Sequence, residues 1–124
     1  MRSARSHGES YLRCSRRYIS EAAAFLANTE GSILLTTGSK ELAAYSGILD
    51  FTQRVYARVL PMDASLEACR TAGLKASHII AMQGPFSEEM DLATLRFANA
   101  AWMVTKDGGE AGGFPAKVSA ARKA

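Results

Sequence analysis

Ser77-His78-Ile79-Ile80-Ala81-Met82-Gln83-Gly84-Pro85-Phe86-Ser87-Glu88-Glu89-Met90 carries the fold in miniature. A short apolar run, 77–82, has the length and continuity of a strand covered on both faces. Gly84 and Pro85 break it. Ser87 followed by Glu88 and Glu89 then reads as a capped helix start, because a serine hydroxyl accepts from the first free amides and acids favour the positive end of the helix. A plain strand-to-helix connection needs a glycine and a cap. It does not need a glutamine and a phenylalanine beside them.

The same unit recurs outward from this stretch. Ser20–Ala27 reads as a helix, Ser32–Thr37 as a strand, Gln53–Leu60 as a strand stopped by Pro61, and Ser65–Ala72 as a helix. Ser87–Ala100 follows as a helix, Ala101–Thr105 as a strand and Phe114–Ala124 as a last helix. Strands alternating with helices define an α/β class with a parallel, Rossmann-like sheet of about four strands and flanking helices.

The totals agree with one small domain. The chain has 124 residues, 48% hydrophobic and 22% charged, a soluble globular balance. No apolar run approaches the ~20 residues of a membrane span, and no secretory apolar stretch follows the basic start, so a cytoplasmic location is expected. Residues 1–20 hold five arginines, Arg2, Arg5, Arg13, Arg16 and Arg17, against Glu9, which leaves a net −1 for the rest of the +3 chain. This divides the chain into a basic, loosely ordered arm over 1–19 and an α/β domain over 20–124. The arm lacks an aromatic platform or a recognition helix, so nucleic acid is not the expected partner. Cys14 and Cys69 have no CxxC spacing and read as reduced thiols. No metal-ligand spacing is present.

Ligands of open α/β sheets bind beyond the carboxyl ends of the strands. That rule selects four loops: Thr36–Ser39, Leu60–Asp63, Gln83–Ser87 and Thr105–Gly113. Thr37, Gly38 and Ser39 offer hydroxyls and amides at an expected helix N-terminus, suited to an anion; a simple capped turn is the alternative. In the third loop Gly84 permits close approach of a ligand, Pro85 stiffens the turn, and Phe86 at the rim offers a flat ring to a planar ligand. A rigid turn with a half-buried phenylalanine is the alternative there. The fourth loop follows Thr105 and Lys106 with Gly108, Gly109, Gly112 and Gly113, whose amides can converge on phosphate or carboxylate; it matches neither a P-loop nor a dinucleotide fingerprint. Arg58 faces the ligand edge or solvates a strand flank, and Lys117 is ambiguous in the same way. His78 reads as structural.

Taken together, Ile33–Leu42, Arg58–Pro61, Ile79–Ser87, Val104–Gly109, Gly112, Gly113 and Lys117 resemble the second half of the precorrin-6A reductase family, including its cobalt-precorrin-6A form. Tyr11-Leu12-Arg13 resembles the segment that enters that half. The resemblance implies one domain of a two-domain reductase, with NADPH as cofactor and a carboxylate-rich tetrapyrrole as substrate, precorrin-6A or cobalt-precorrin-6A. It implies that Thr37, Gly38, Ser39, Arg58, Gln83, Gly84, Pro85, Phe86, Ser87, Thr105, Lys106, Gly109, Gly112, Gly113 and Lys117 face cofactor or substrate. The family's N-terminal domain with its Gly-Gly-Thr turn and its last strand are not in the sequence, and Gly108 stands where the family more usually has serine. The chain is therefore expected to be truncated at both ends, inactive alone, and paired with a separate N-terminal half-domain. A non-catalytic tetrapyrrole- or nucleotide-binding module is the alternative function.

Overall fold

The computed structural model describes residues 2–4, 11–14 and 19–106, with side chains over 19–105. The elements run β1 (Arg2–Ala4), β2 (Tyr11–Cys14), α1 (Ile19–Ala27), β3 (Ser32–Leu35), α2 (Phe51–Arg54), β4 (Val55–Val59), α3 (Asp63–Ala72), β5 (Ile79–Ala81), α4 (Glu88–Ala98) and β6 (Ala100–Lys106). The strands form one sheet in the order β1-β2-β6-β3-β4-β5.

The four expected strands, β3 to β6, pair in parallel. Two strands extend them: β2 lies parallel to β6, with Tyr11 in register with Met103 and Arg13 with Thr105, and β1 closes the edge antiparallel to β2. Both come from stretches that the sequence assigns to the arm. Short apolar-polar runs flanked by arginines carry little strand signal alone; the open edge of β6 supplies the ladder they complete. Phe114–Ala124, expected as a helix, lies outside the described residues.

Strand alternation sorts the core into two layers. Ile33, Leu35, Val55, Val59, Trp102 and Val104 point to one face and pack with Leu26 of α1 and Cys69 of α3. Leu34 and Met103 point to the other and meet Leu95 of α4. Phe25 sets its ring edge-on against Trp102, with centroids 5.3 Å apart. Each fully buried Leu, Ile or Val contributes roughly 1.5–3 kcal/mol, so the α1/α3 layer carries most of the stability. Burial pushes the Cys69 thiol above its ordinary 9.0, which keeps it protonated at neutral pH.

One expectation is corrected. No α-helix follows Ser39. The chain winds through a 3₁₀ turn, Leu42–Tyr45, to the single-turn α2. The reason is a spacing of three. Leu42, Tyr45, Ile48 and Phe51 are all buried, and the amides of Leu42, Ile48 and Phe51 donate to the carbonyls of Ser39, Tyr45 and Ile48. A 3₁₀ winding stacks residues i and i+3 on one side; an α-helix would fan them round the axis.

α1 and α3 begin at Ile19 and Asp63, ahead of the expected Ser20 and Ser65, whereas α4 starts as expected. The Ser87 hydroxyl accepts from the Met90 amide at 3.1 Å, and Glu88, Glu89 and Asp91 lie in the first turn of α4. Asn99 ends α4 and Gly73 ends α3, both left-handed. His78 packs as a structural residue. Its Nδ1 lies 2.9 Å from the Val55 carbonyl, and its ring stacks on Tyr56 at 3.8 Å.

Candidate functional site

Because β3, β4, β5 and β6 are parallel, the segments 36–39, 60–63, 82–87 and the end of β6 gather on one edge of the sheet. Within that edge, one place is singled out by topology. From β3 the chain proceeds through β4 and β5 on one side, with α3 on one face; it then crosses by α4 on the opposite face and returns to the other side of β3 as β6. The carboxyl ends of β3 and β6 thus flank the switch point, where open α/β sheets leave a crevice.

Thr36 and Thr37 follow β3 directly. The Thr36 hydroxyl donates to the Val104 carbonyl at 2.8 Å, and its amide donates to the same carbonyl at 3.0 Å, which ties the two strand ends together. Thr37 alternates to the other face. It is 4% exposed, and its hydroxyl has no hydrogen-bond partner among the described residues. It lines a cleft of about 980 Å³ between the 37–46 segment and α3, together with Gly38, Ser39, Lys40, Met62 and Ser65. Gly38 has φ +87°, and a Cβ built there would meet nothing within 4 Å. The backbone is therefore open to the cleft. The helix N-terminus expected at Ser39 is replaced by the 3₁₀ turn. The site rests on the Thr37 hydroxyl, the open Gly38 backbone and the charge of exposed Lys40.

A second cluster occupies the α4 face of the same edge. Arg58, near the end of β4, is buried and donates from Nη1 to Asp91 Oδ1 of α4. Their side chains are 3% and 1% exposed. Arg58 Nη2 and Asp91 Oδ2 have no partner among the described residues. The half-buried Phe86 ring covers the guanidinium, with Arg58 Cζ 3.8 Å from the ring centroid. Gly84 makes room for that ring: a Cβ there would stand 3.1 Å from two Phe86 ring carbons. Thr105, on the same face by alternation with Met103, is 1% exposed, and its hydroxyl is likewise unpartnered among the described residues.

The expected residues therefore divide. Thr37, Gly38 and Ser39 line the α3-side cleft. Arg58, Phe86 and Thr105 belong to the α4 side. Gln83, Gly84 and Pro85 form the exposed bend between β5 and α4, across a cis Gly84–Pro85 bond, and Ser87 is the cap. Lys106 is the last residue of β6. Gly109, Gly112, Gly113 and Lys117 lie outside the described residues. Asp91 is absent from the expected set although a signal exists. It shares the inner face of α4 with Leu95 and Ala98, four and seven residues on. An acid on an apolar helix stripe requires a buried cation, and Arg58 is the inward-facing basic residue that meets it. Among the described residues no group of three His, Cys, Asp or Glu is placed to hold a metal ion.

An open α/β sheet whose strands β3 to β6 run parallel, with crossovers on both faces, defines a Rossmann-like domain. The chain belongs to the precorrin-6x reductase family, described as precorrin-6x reductase CbiJ/CobK, whose model matches residues 1–124. Over 69 residues it is 55% identical to a cobalt-precorrin-6A reductase of Methanothermobacter thermautotrophicus, covering 56% of this chain and 23% of that protein. It is 41% identical over 105 residues to the protein of that name from Priestia megaterium, covering 83% of this chain and 41% of the relative. With the Salmonella typhimurium protein of that name it shares 35% over 103 residues, or 82% and 38% of the two chains. The chain thus spans about two fifths or less of these curated relatives. No solved structure matches it.

Proposed function

We propose that this chain forms the substrate-facing part of an NADPH-dependent reductase that reduces one ring double bond of precorrin-6A or cobalt-precorrin-6A, and that it works with a segment corresponding to the rest of its relatives. The observation that carries this reading is the buried Thr37 hydroxyl, without a partner among the described residues, beside the cleft of about 980 Å³ at the switch point. A buried polar atom left without a partner costs on the order of 1–3 kcal/mol. A ligand anion accepting from that hydroxyl offsets the cost.

The donor set suits an anion. Thr37, the Gly38 backbone, Ser39 and Lys40 offer hydroxyl, amide and ammonium donors, which fit a cofactor phosphate or a substrate carboxylate equally. Leu42, Ala43, Leu60, Met62, Ala68 and Ala72 give the cleft apolar walls for a ring. Gln83–Ser87 follows β5 on the same edge of the sheet, and Lys106 ends β6. Gly109, Gly112, Gly113 and Lys117 complete the proposed set. NADPH, when bound, supplies the hydride; the residues of this chain hold the two reactants in register and exclude water between them.

Two measurements test the reading. NADPH titrated into the chain should bind in the micromolar range or weaker. Adding the segment of a relative that this chain does not match, together with precorrin-6A, should then oxidise NADPH. No cofactor binding and no oxidation at any ratio would refute the proposal, and binding without oxidation would make the chain a non-catalytic holder.

A further inference from the structure

A second apolar surface lies away from the cleft. β5 ends the sheet, and no strand lies beyond it among the described residues. Edge strands are commonly guarded by charged side chains, yet Ser77-His78-Ile79-Ile80-Ala81-Met82 carries no Asp, Glu, Lys or Arg. Between this edge and α4 runs a shallow groove of about 470 Å³, lined among others by Ile79, Ile80, Met90, Ala93 and Phe97. Phe97 is 66% exposed and Met90 40%. The buried face of α4 is already accounted for by Asp91, Thr94, Leu95 and Ala98. Met90, Ala93 and Phe97 therefore form a second stripe, at helical spacing, that the described fold leaves uncovered. The Phe97 ring is set edge-on against Tyr56, with centroids 6.1 Å apart, so it is braced at the rim of the groove. Scattered apolar side chains on a surface are ordinary; a contiguous patch beside an open strand edge marks an interaction site.

We propose that this α4/β5 surface is a self-association site, and that its occupant is a second copy of this chain docked antiparallel on the same stripe. The charges beside the stripe select that occupant. Glu89 and Arg96 are exposed and lie together on one flank of it, and neither has an ion-pair partner among the described residues. They are seven residues apart, as are Met90 and Phe97, which is about two helical turns. A two-fold axis near Ala93 therefore brings Met90 of each copy to Phe97 of the other and Glu89 of each copy to Arg96 of the other. Every contact then occurs twice, as a two-fold interface requires. An acidic or basic partner would call for one sign of charge on this rim. Here both signs stand at the spacing that a two-fold mate inverts, and flanking charges of this kind set helix partner and orientation. The patch is small, so the dimer is a weak one, micromolar or weaker. It lies on the α4 face, whereas the Thr37 cleft lies on the α3 face; the self-association neither uses nor needs the reductase reading.

Sedimentation velocity of the whole chain from ~5 to ~500 μM, at low ionic strength, tests this. It should show a monomer–dimer equilibrium. Phe97→Glu places a charge at the centre of the contact and should weaken the dimer at least tenfold. Phe97 is exposed, so the fold should survive; thermal melts check this, and the charge variants decide the matter if it does not. Glu89→Arg sets like cations against each other at both rims, and Arg96→Glu sets like anions. Each variant alone should dimerise about tenfold more weakly than the parent. An equimolar mixture of the two restores opposite charges at both rims and should form heterodimers within about threefold of the parent affinity. A chain that stays monomeric across the range refutes the proposal. So does a dimer indifferent to Phe97→Glu, or a pair of charge variants that fail to recombine. If the surface instead takes up the segment of a relative that this chain does not match, that segment binds a monomeric chain and loses affinity with Phe97→Glu, which overturns the self-association as well.

Discussion

The two faces of the sheet edge solve opposite problems. On the α3 side the chain leaves β3 through Gly38 and a 3₁₀ turn, and the result is an open cleft with a hydroxyl waiting in its wall. On the α4 side it leaves β5 through Gly84 and a capped helix, and the result is closed: a buried ion pair roofed by an aromatic ring. Both faces retain donors with no partner among the described residues. The difference lies in who neutralises them. Among the described residues nothing partners the cleft hydroxyl, whereas Arg58 has Asp91 as an internal counter-ion. Buried pairs of this kind contribute little net stability compared with apolar packing, yet breaking one is costly.

The sharpest way to break that comparison is to remove the counter-ion. Asp91→Ala leaves the Arg58 guanidinium buried and unpaired, and should cost about 3–5 kcal/mol in denaturant unfolding. A loss under about 1 kcal/mol would mean that the pair is wet and the α4 face as open as the cleft. The two loop glycines offer a matched test one step smaller. Gly38→Ala meets no neighbour but forces a left-handed residue, for roughly 1–2 kcal/mol. Gly84→Ala has no positive φ but pushes against the Phe86 ring, at about 1 kcal/mol. The two costs should be told apart by Phe86→Leu, which relieves the second and leaves the first.

Ser87→Ala removes the hydroxyl that accepts from Met90 and should cost about 1 kcal/mol. It also loosens the turn that carries Asp91, so the Asp91–Arg58 coupling measured by a double-mutant cycle should fall with it. Smallest of all, Thr37→Val should leave the unfolding free energy within about 0.5 kcal/mol of the parent or raise it, since an unsatisfied buried hydroxyl is replaced by an isosteric methyl. A clear destabilisation would show that the hydroxyl has a partner in the free protein, and the contrast between waiting and satisfied faces would weaken.

How much of this was legible beforehand varies by region. Around α4 nearly all of it was: Ser87, the acids after it and the apolar run before Gly84 mark strand, turn and cap by local rules. Around residues 40–51 the reading erred, because Lys40-Glu41-Leu42-Ala43-Ala44 has ordinary helix-forming composition. The three-residue spacing of Leu42, Tyr45, Ile48 and Phe51 was present in the letters, yet it acquires meaning only when a core lies on one side. Asp91 was passed over for a similar reason, since an acid in a first helical turn already has a local explanation in the helix dipole.

Local chemistry alone determined the class, the succession of strands and helices, and the edge at which the strand-end loops collect, because each depends on periodicity, caps and breakers within a few residues. The tertiary structure decided the rest. Strand order placed β6 beside β3 and so located the crevice. Alternation in register sent Thr37 to one face and Arg58 to the other. Packing of α4 brought Asp91, thirty-three residues away along the chain, onto Arg58. These outcomes hang on pairing between distant segments, and no window of sequence contains the energy of a contact whose two halves lie in different windows.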